Sequence, residues 1–397
     1  MVDVAFPTVE ADQRMPAEIH VSAVMPCLNE EKTLGSCIEK AQACFRRLGI
    51  NGEVVVADNG SSDRSVEVAR ALGARVISEP CKGYGAALMA GFAAARGRII
   101  VMADADDSYD WGSLGDFVAK VEQGYDLVVG NRFRGGIEPN AMPVLHRYLG
   151  NPALSLLARV MYRIPIGDFH CGMRAIAKAS WEQMHARTPG MEFATEMVIN
   201  AAHAGLRIAE IPTRLYPDKR DRPPHLRSFR DGWRHLRFMM TYAPDYLYLV
   251  PGSLLAVAGF LGMALLATGP AVLGGFRLGI HFLALASLLA LLGVNVIGFG
   301  ILAKILNARR CALREGSLTA WLLAHYTLEQ GLVLGLALLI AGLGTNALIL
   351  VEWLSRGRGA MEDTIHLAFV ASTACVLGVN VIFGAFLLRM IQEDATD

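Results

Sequence analysis

The residues most suggestive of chemistry are three carboxylates within residues 101–110, V-M-A-D-A-D-D-S-Y-D. Asp104, Asp106 and Asp107 follow an apolar run directly, so they are predicted to lie just beyond the end of a buried strand. Three clustered acids repel one another unless a cation lies among them, and Mg²⁺ or Mn²⁺ binds carboxylate oxygen while keeping positions open for phosphate. Asp104 and Asp106 thus indicate a metal-assisted site for a nucleotide sugar. An isolated D-x-D is more often a solvated turn. The surrounding motifs must therefore decide between a metal site and a turn.

Alternating strands and helices are predicted to position these carboxylates. Apolar runs closed by turn residues predict strands at residues 19–25, 53–57, 75–78, 98–103 and 126–130. Helical patterns between them predict a doubly wound α/β domain with a mostly parallel sheet, which binds ligands at the carboxyl ends of its strands. Asp58, Lys82 and Asp104 all fall at such ends.

Two loops at these strand ends offer further binding groups. Residues 58–63 read D-N-G-S-S-D, in which Gly60 permits a tight turn and Ser61 or Ser62 is expected to cap the next helix. Residues 82–87 read K-G-Y-G-A-A, and free N–H groups at a glycine-rich helix start, with Lys82, can hold an anion. Ordinary helix punctuation explains the same glycines.

Six motifs occur in a fixed order: M-P-C-L-N-E-E, V-A-D-N-G-S-S-D, K-G-Y-G-A-A, D-A-D-D, G-N-R-F and D-F-H-C-G-M-R. Together they resemble the inverting family 2 glycosyltransferases of the GT-A (Rossmann-like) fold. Within that family they are similar to the polyprenyl-phosphate hexosyltransferases, such as the dolichol-phosphate mannose and glucose synthases. The match covers about residues 19–216. Asn59 departs from the pattern, because many relatives carry a second Asp there.

The resemblance implies a donor site with a Mg²⁺ or Mn²⁺ cofactor. The donor-binding residues that it implies are Pro26, Asn29, Glu30, Asp58, Lys82, Asp104 and Glu192. Asp104 and Asp106 would hold the metal, which stabilises the charge on a departing nucleoside diphosphate. Asp107 is expected either to support the metal-binding residues from behind or to belong to the loop structure. Glu192 and Glu196 are spaced to share a helix face, which would either contact the donor sugar or be a solvated acidic surface.

The resemblance also implies a site for the phosphate of a polyprenyl-phosphate acceptor. The residues concerned are Arg132, Arg147, Asn151 and Arg222. Arginine suits this role because its planar fork grips phosphate oxygens, although each could instead form a surface ion pair. A phosphate needs no general base, so Asp168 is expected to orient the sugar or the nucleophile, and His170 to be structural. If the acceptor were a lipid hydroxyl, Asp168 would be the candidate base.

Composition divides the chain near residue 245. With 397 residues, 53% of them hydrophobic, and a mean hydropathy of +0.36, it is too apolar for one soluble domain. We expect a tail at 1–18, a GT-A domain at 19–218, a basic amphipathic region at 219–244 and a transmembrane domain at 245–397. Residues 246–268, 280–302, 331–351 and 365–388 contain no Asp, Glu, Lys or Arg, and each reaches the ~20 residues that span a bilayer.

The basic region before the first span has helical periodicity. Leu226, Phe229, Trp233, Leu236 and Met240 share one face, and Arg227, Arg230, Arg234 and Arg237 form the adjoining stripe. This pattern predicts an interfacial helix with its arginines at lipid headgroups. A core-packed helix with a solvated basic face is the alternative.

The spans contain an internal repeat. L-G-V-N-V-I occurs at 292–297 and at 377–382, which predicts two related hairpins in contact through Gly293, Gly378, Asn295 and Asn380. Small residues such as Gly259 and Gly293 would also permit a homo-oligomer.

Basic residues concentrate after the second span, so the positive-inside rule places the catalytic half in the cytoplasm, at an inner membrane if the source is bacterial. Seven cysteines without a C-x-x-C pair argue against zinc and disulfides.

The leading hypothesis is inverting transfer of one hexose, from UDP-glucose or GDP-mannose, to a polyprenyl phosphate at the cytoplasmic face. One alternative is a glycolipid synthase with a lipid hydroxyl acceptor. Another is a non-catalytic lipid transporter or scaffold with a degenerate transferase domain. Membrane lipids are expected partners, and nucleic acid is not.

Overall fold

The structure, a computed structural model, describes residues 18–219, 228–311, 321, 325–356 and 364–393. The chain forms two compact units, Met1–Leu236 and Arg237–Asp397. The division falls inside the predicted amphipathic region, and we describe each unit by itself.

The first unit alternates strands with helices. Its strands are β1 (Val21–Cys27), β2 (Gly52–Asp58), β3 (Arg75–Ser78), β4 (Ile99–Met102), β5 (Leu127–Asn131), β6 (Arg174–Ala177) and β7 (Ile208–Pro212). Its helices are α1 (Leu34–Leu48), α2 (Ser65–Ala71), α3 (Tyr84–Ala94), α4 (Leu114–Glu122), α5 (Arg132–Gly135), α6 (Asn151–Tyr162), α7 (Lys178–Met184) and α8 (Phe193–His203), while α9 (Ser228–Tyr242) crosses the boundary. The five predicted strands are all confirmed, with bounds shifted by at most two residues.

Within the described residues the strands form one mostly parallel sheet, in the order β3-β2-β1-β4-β6-β5-β7. Strand β4 is buried along its whole length, as expected for a central strand that helices cover on both faces. Strand β6 is the exception in direction, because it lies antiparallel between β4 and β5. The predicted GT-A α/β fold is therefore confirmed, and β6 and β7 are additions that the apolar pattern did not predict.

The loop from Asp58 to Asp63 differs from the prediction in one respect. Helix α2 begins without a side-chain cap from Ser61 or Ser62, so that prediction is wrong. The Ser61 hydroxyl instead accepts the Asn29 N–H at 2.9 Å, and the Asp63 carboxylate accepts the Ser65 N–H at 3.0 Å. The serines are unavailable as caps because this loop closes against the segment that follows β1.

The second unit consists mainly of long apolar helices. They are α10 (Val250–Leu266), α11 (Ile280–Cys311), α12 (Leu328–Ser355) and α13 (Ile365–Glu393), and a small hairpin, β8 (Ala271–Leu273) and β9 (Phe276–Leu278), connects the first two. Among the described residues, four helical stretches are long and apolar enough to cross a membrane: Asp245–Leu266, Ile280–Asn307, Leu328–Ser355 and Ile365–Ile391. The four predicted spans are thus confirmed as apolar helices.

Glycines allow the closest contacts between α10 and α11 and between α12 and α13. A Cβ on Gly293 of α11 would lie 2.3 Å from the Ala256 backbone nitrogen of α10. A Cβ on Gly378 of α13 would lie 2.6 Å from the Gly335 carbonyl oxygen of α12. The predicted hairpin contacts through Gly293 and Gly378 are confirmed. The amide of Asn295 does not join helices, since it donates to Leu291 O of its own helix at 2.9 Å.

We predict that Gly293→Ala destabilises the helical unit by about 1–3 kcal/mol, because the added methyl group forces α10 and α11 apart. The matched control is Gly298→Ala in the same helix, where an added Cβ meets nothing within 4 Å. The control should be neutral or slightly stabilising, since alanine favours helix. Unfolding by sodium dodecyl sulfate in mixed micelles would measure both, and equal effects would contradict close packing at Gly293.

Candidate active site

The carboxyl ends of β1, β2 and β4 lie side by side. Cys27 pairs with Asp58 between β1 and β2, and Val24 pairs with Met102 between β1 and β4. The segments that leave these strands therefore emerge at one edge of the sheet, where doubly wound folds bind ligands. The implied donor and metal residues Asn29, Asp58 and Asp104 are all on these segments.

The antiparallel strand β6 brings the acceptor motif to the same edge. Arg174, the first residue of β6, pairs with Met102 of β4 and with Val129 of β5. The residues before Arg174, D-F-H-C-G-M, therefore approach the sheet where β4 and β5 end. Arg132 directly follows β5 at this edge. Donor and acceptor motifs, distant in sequence, are thus collected at one place.

Gly172 lies against Asp104. A Cβ on Gly172 would be 2.9 Å from an Asp104 carboxylate oxygen and 3.1 Å from the Tyr109 ring. The Gly172 N–H also donates to the Tyr109 hydroxyl at 2.9 Å. Only a residue without a side chain permits this approach, which places the acceptor motif next to the candidate metal carboxylate.

The residues predicted to bind the nucleoside lie on two loops that are joined by hydrogen bonds. The Asp58 carboxylate accepts the N–H groups of Gly60 and Ser61, at 3.2 and 3.1 Å. Asn29 has a left-handed backbone (φ 58°), and its side-chain oxygen accepts the Ser62 N–H at 2.7 Å. Buried Glu30 is tied to α2, because its N–H donates to the Ser65 hydroxyl. Pro26 lies in β1 and pairs in register with Ala57.

Asn59 organises the Lys82 loop, a role that its sequence position did not reveal. Its amide nitrogen donates to the carbonyls of Glu79 and Cys81, and its amide oxygen accepts the Gly83 N–H at 2.7 Å. An aspartate could not donate the first two bonds, so the departure from the family pattern has a physical function here. Lys82 Nζ donates to the Asn59 carbonyl at 2.7 Å.

At the start of α3, the N–H groups of Gly83 and Ala86 are already engaged, which favours the structural interpretation of these glycines over an anion site. A Cβ on Gly83 would lie 2.1 Å from Pro189 O, and one on Gly85 would lie 2.2 Å from Thr188 O. The Ala86 N–H already donates to Pro189 O at 3.1 Å. The glycines therefore serve close backbone packing, and the exposed Lys82 is the cation that this loop presents.

The three carboxylates of the D-A-D-D loop have different surroundings. Asp107 is buried and accepts hydrogen bonds from Lys40 and Lys219. Burial raises the pKa of Asp107, but the bonds from Lys219 and Lys40 lower it more, so that pKa lies below its usual value. The Asp106 carboxylate accepts the Ser108 N–H at 3.0 Å. Asp107 is thus part of the loop structure, whereas ligand binding by Asp104 and Asp106 stays a prediction.

Two carboxylates suit a cation that shares its coordination shell with a substrate. In the described part of the chain, no group of three or more His, Cys, Asp and Glu could hold a metal by itself. Mg²⁺ commonly binds one or two carboxylates together with substrate phosphates, and Mn²⁺ also prefers oxygen ligands. The half-buried Asp104 carboxylate and neighbouring Asp106 fit this pattern.

Arg132 and Asp168, implied for separate roles, form one buried ion pair. Arg132 Nε and Nη2 donate to the two Asp168 oxygens at 2.7 and 2.8 Å, and the Arg132 N–H adds a third bond at 3.0 Å. The Glu210 carboxylate accepts the N–H groups of Gly167 and Asp168 and so fixes this turn. Asp168 is fully buried, and both of its oxygens are engaged by the guanidinium.

The other acceptor residues lie on a helical segment beside this pair. Arg147 is in a π-helical turn, His146–Gly150, half-buried, with its guanidinium carbon 5.6 Å from the Tyr148 ring centroid. The Asn151 amide donates to the Met142 sulfur at 3.4 Å. Arg222 lies outside the described residues.

His170 is enclosed by aromatic and basic neighbours. Its ring centroid is 4.7 Å from that of His235, and neither ring nitrogen has a hydrogen-bond partner among the residues that the structure describes. Burial, followed by the positive neighbours His235 and Arg132, holds the pKa of His170 well below its usual range. A neutral, enclosed ring fits the predicted structural role.

Glu192 and Glu196 do not form a solvated acidic face, because both are buried. Glu192 precedes α8 and pairs with Arg234 of α9 at 3.3 Å. The Glu196 carboxylate accepts the N–H groups of Arg187 and Thr188. Arg234 therefore pairs within the first unit (Met1–Leu236), which we call the catalytic unit below, and does not face lipid headgroups.

Two family models and several known proteins match parts of the chain. Residues 22–184 match the family described as "Glycosyl transferase family 2", and residues 301–392 match "Glycosyltransferase family 2 C-terminal transmembrane region". The chain is 39% identical over 374 residues, 94% of this chain and 89% of the relative, to the low-salt glycan biosynthesis hexosyltransferase Agl6 of Haloferax volcanii.

Two further proteins are similar over the catalytic unit. A dolichyl-phosphate hexose transferase of Haloferax volcanii is 36% identical over 194 residues, 48% of this chain and 81% of the relative. A glucosyl-3-phosphoglycerate synthase of Mycobacterium tuberculosis, crystallised with Mn²⁺ and uridine diphosphate, matches 57% of this chain and 78% of its own, at 23% identity and a TM-score of 0.44.

We predict that Asp168→Asn and Arg132→Gln each destabilise the catalytic unit by about 3–5 kcal/mol, because each leaves one buried charge unpaired. The double variant should lose less than the sum of the two, since it removes both charges. Pulse proteolysis during urea unfolding in detergent would measure this. The control Arg134→Gln removes a guanidinium that is 66% exposed and should cost less than about 1 kcal/mol. Additive losses would contradict the pairing.

Proposed function

The chain is a member of glycosyltransferase family 2, and we propose that it transfers a single hexose from a nucleotide sugar to a polyprenyl phosphate, with inversion at the anomeric carbon. The observation that carries this proposal is the contact between Gly172 of the acceptor motif and Asp104 of the donor motif. The similarity to a dolichyl-phosphate hexose transferase supports a lipid phosphate as acceptor.

On the donor side, we assign Asn29, Glu30 and Asp58 to the nucleoside and Lys82 and Glu192 to the rest of the nucleotide sugar. Hydrogen bonds within and between the loops hold Asn29 and Asp58 in fixed positions, which supports this assignment. Asp104 and Asp106 would hold Mg²⁺ or Mn²⁺. When bound, the cation supplies charge stabilisation to the leaving nucleoside diphosphate.

On the acceptor side, a phosphate oxygen is already anionic and attacks without a general base. The alternative, a lipid hydroxyl, would need Asp168 to accept a proton. Both Asp168 oxygens receive hydrogen bonds from the Arg132 guanidinium, so the carboxylate is already engaged and is poorly placed to accept a proton from a lipid hydroxyl. This pairing favours the phosphate acceptor over the hydroxyl acceptor.

Arg132 and Arg147 then have different tasks. Arg132 is committed to Asp168 and sets the shape of the acceptor pocket. We assign Arg147, whose side chain is half-buried and has no carboxylate partner in the described residues, to the acceptor phosphate, together with Asn151 and Arg222. This division keeps one guanidinium for structure and one for substrate.

We further propose that the donor is UDP-glucose or, second, GDP-mannose, and that transfer takes place at the cytoplasmic face. The orientation is supported by sequence: Lys304, Arg309, Arg310 and Arg314 follow the second span, whereas Arg277 alone follows the first. Basic residues accumulate in cytoplasmic loops.

We predict that the purified protein with Mg²⁺ or Mn²⁺ forms a glycosylated polyprenyl phosphate from one of these donors, detected by mass spectrometry. Mild acid should cleave the product, since a sugar phosphodiester is labile where an ordinary glycoside survives. Asp106→Asn should lower kcat/KM about a thousandfold, because a cation at the leaving group is worth several kcal/mol.

The matched control is Asp110→Asn, because Asp110 caps a short helical turn by accepting the Gly112 N–H, which asparagine can also do. Near-wild-type activity is expected for this variant. Full activity of Asp106→Asn would refute a metal site at Asp106, absence of product from every donor would favour a non-catalytic protein, and an acid-stable product would favour the hydroxyl acceptor.

We predict that Arg147→Ala raises the KM for polyprenyl phosphate by about tenfold to a hundredfold, the loss of about 1.5–3 kcal/mol expected for a charged hydrogen bond. The KM for the nucleotide sugar should not change. Arg147→Lys should recover part of the loss, because it restores the charge without the planar fork. Arg134→Ala is the control, and an equal effect of both alanine variants would refute a specific role for Arg147.

A further inference from the structure

Tyr84, the aromatic residue of the K-G-Y-G-A-A motif, contacts a candidate metal carboxylate. Its hydroxyl is hydrogen-bonded to the side chain of Asp104. An ionised carboxylate can only accept, so the phenol donates this bond. The charge of Lys82 and the close packing of Gly83 and Gly85 do not require an aromatic hydroxyl between them. The phenol therefore calls for a reason of its own.

The glycines on either side of Tyr84 fix the position of its ring. Gly83 has a φ of 144°, which favours glycine, and a Cβ there would lie 2.1 Å from Pro189 O. A Cβ on Gly85 would lie 2.7 Å from the Cβ of Phe193, a fully buried residue at the start of α8. The first turn of α3 is thus packed tightly against its neighbours, and the phenol leaves it from a set place.

The backbone of Asp104 is fixed by a separate contact. Its carbonyl oxygen accepts the indole N–H of Trp111 at 3.2 Å, and Trp111 is fully buried. A fixed backbone does not by itself fix the carboxylate, because the terminal torsion of an aspartate is broad and roughly two-fold. The bond from Tyr84 restricts this torsion. It therefore sets the direction in which the Asp104 oxygens face.

The two candidate metal carboxylates share this kind of support. The hydroxyl of Ser108 donates to Asp106 at 2.5 Å, as that of Tyr84 donates to Asp104. Two lysines instead pair with Asp107. A hydroxyl orients a carboxylate without neutralising it, whereas an ammonium group takes up its charge. Asp104 and Asp106 thus keep the negative charge that a cation needs, in fixed orientations.

We propose that Tyr84 is a positioning residue for the cation, whose hydroxyl orients the Asp104 carboxylate for Mg²⁺ or Mn²⁺. This inference rests on the metal site of the proposed function. Carboxylates that bind metals are commonly hydrogen-bonded by a neighbouring group, and loss of that neighbour costs about tenfold to a hundredfold in metal affinity or activity. The motif that presents Lys82 would in this way also support the metal site.

Binding of Mn²⁺ alone to the full-length protein in detergent tests this role, with free Mn²⁺ measured by electron paramagnetic resonance. Tyr84→Phe removes the hydroxyl, keeps the ring, and should raise the Kd for Mn²⁺ about tenfold to a hundredfold. Tyr125→Phe is the matched control, because the Tyr125 ring contacts Lys120 and Arg207 and phenylalanine keeps both contacts. Its Kd should equal that of the wild type.

The Mn²⁺ dependence of sugar transfer gives a second measurement. Tyr84→Phe should need at least about ten times more Mn²⁺ for half-maximal rate and should approach the wild-type kcat at saturating Mn²⁺. A lowered kcat with unchanged Mn²⁺ affinity would mean that Tyr84 acts on the substrate, and would overturn the positioning role.

Asp106→Asn distinguishes failure of this inference from failure of the proposed metal site. This variant should bind Mn²⁺ more weakly than the wild type. If it does so while Tyr84→Phe binds Mn²⁺ normally, the role of Tyr84 alone is overturned. If Asp106→Asn and the wild type bind Mn²⁺ equally, or neither binds it, the proposed metal site is wrong and the role of Tyr84 fails with it.

Discussion

The close approach of Gly172 to Asp104 is the contact on which the rest of the catalytic unit depends. It requires the chain to reverse direction in the sheet, because only an antiparallel β6 starts where β4 ends. It also requires a residue without a side chain at position 172 and a hydroxyl, from Tyr109, to take up the Gly172 N–H. Donor and acceptor motifs can then share one edge although about 60 residues separate them.

Bringing those motifs together concentrates charge, and the fold neutralises most of it internally. Lys40 and Lys219 pair with Asp107, and Arg132 pairs with Asp168. With these five groups engaged in ion pairs, we assign the contacts with substrate to the carboxylates of Asp104 and Asp106 and to the guanidinium of Arg147. A buried ion pair contributes little net stability, but it fixes geometry, and each partner is costly to remove alone. The pairs are best understood as supports for the groups that meet substrate.

The sequence predicted the features that depend on the local order of apolar and polar residues. Apolar runs closed by turn residues located five strands and four spans, because the apolar residues of an element indicate whether that element is buried. Strand β6, R-A-I-A, is too short to stand out, and its direction depends on its neighbours. The pairing of Arg132 with Asp168 also depends on tertiary structure, since either residue alone is compatible with a phosphate site or an ion pair. Asn59 shows the same limit: its departure from the family pattern was visible, but its three hydrogen bonds to the Lys82 loop were not.

Helix α9 shows how one pattern can satisfy two interpretations at once. Its arginines were expected either at lipid headgroups or on a solvated face of a packed helix, and they divide. Arg234 pairs with Glu192, and neighbouring His235 lies 3.0 Å from the Thr195 hydroxyl, so this turn is packed on the catalytic unit. Arg230 and Arg237 remain exposed, as does Trp233. Any displacement of α9 must therefore break or carry with it the contact to Glu192, a residue we assign to the donor.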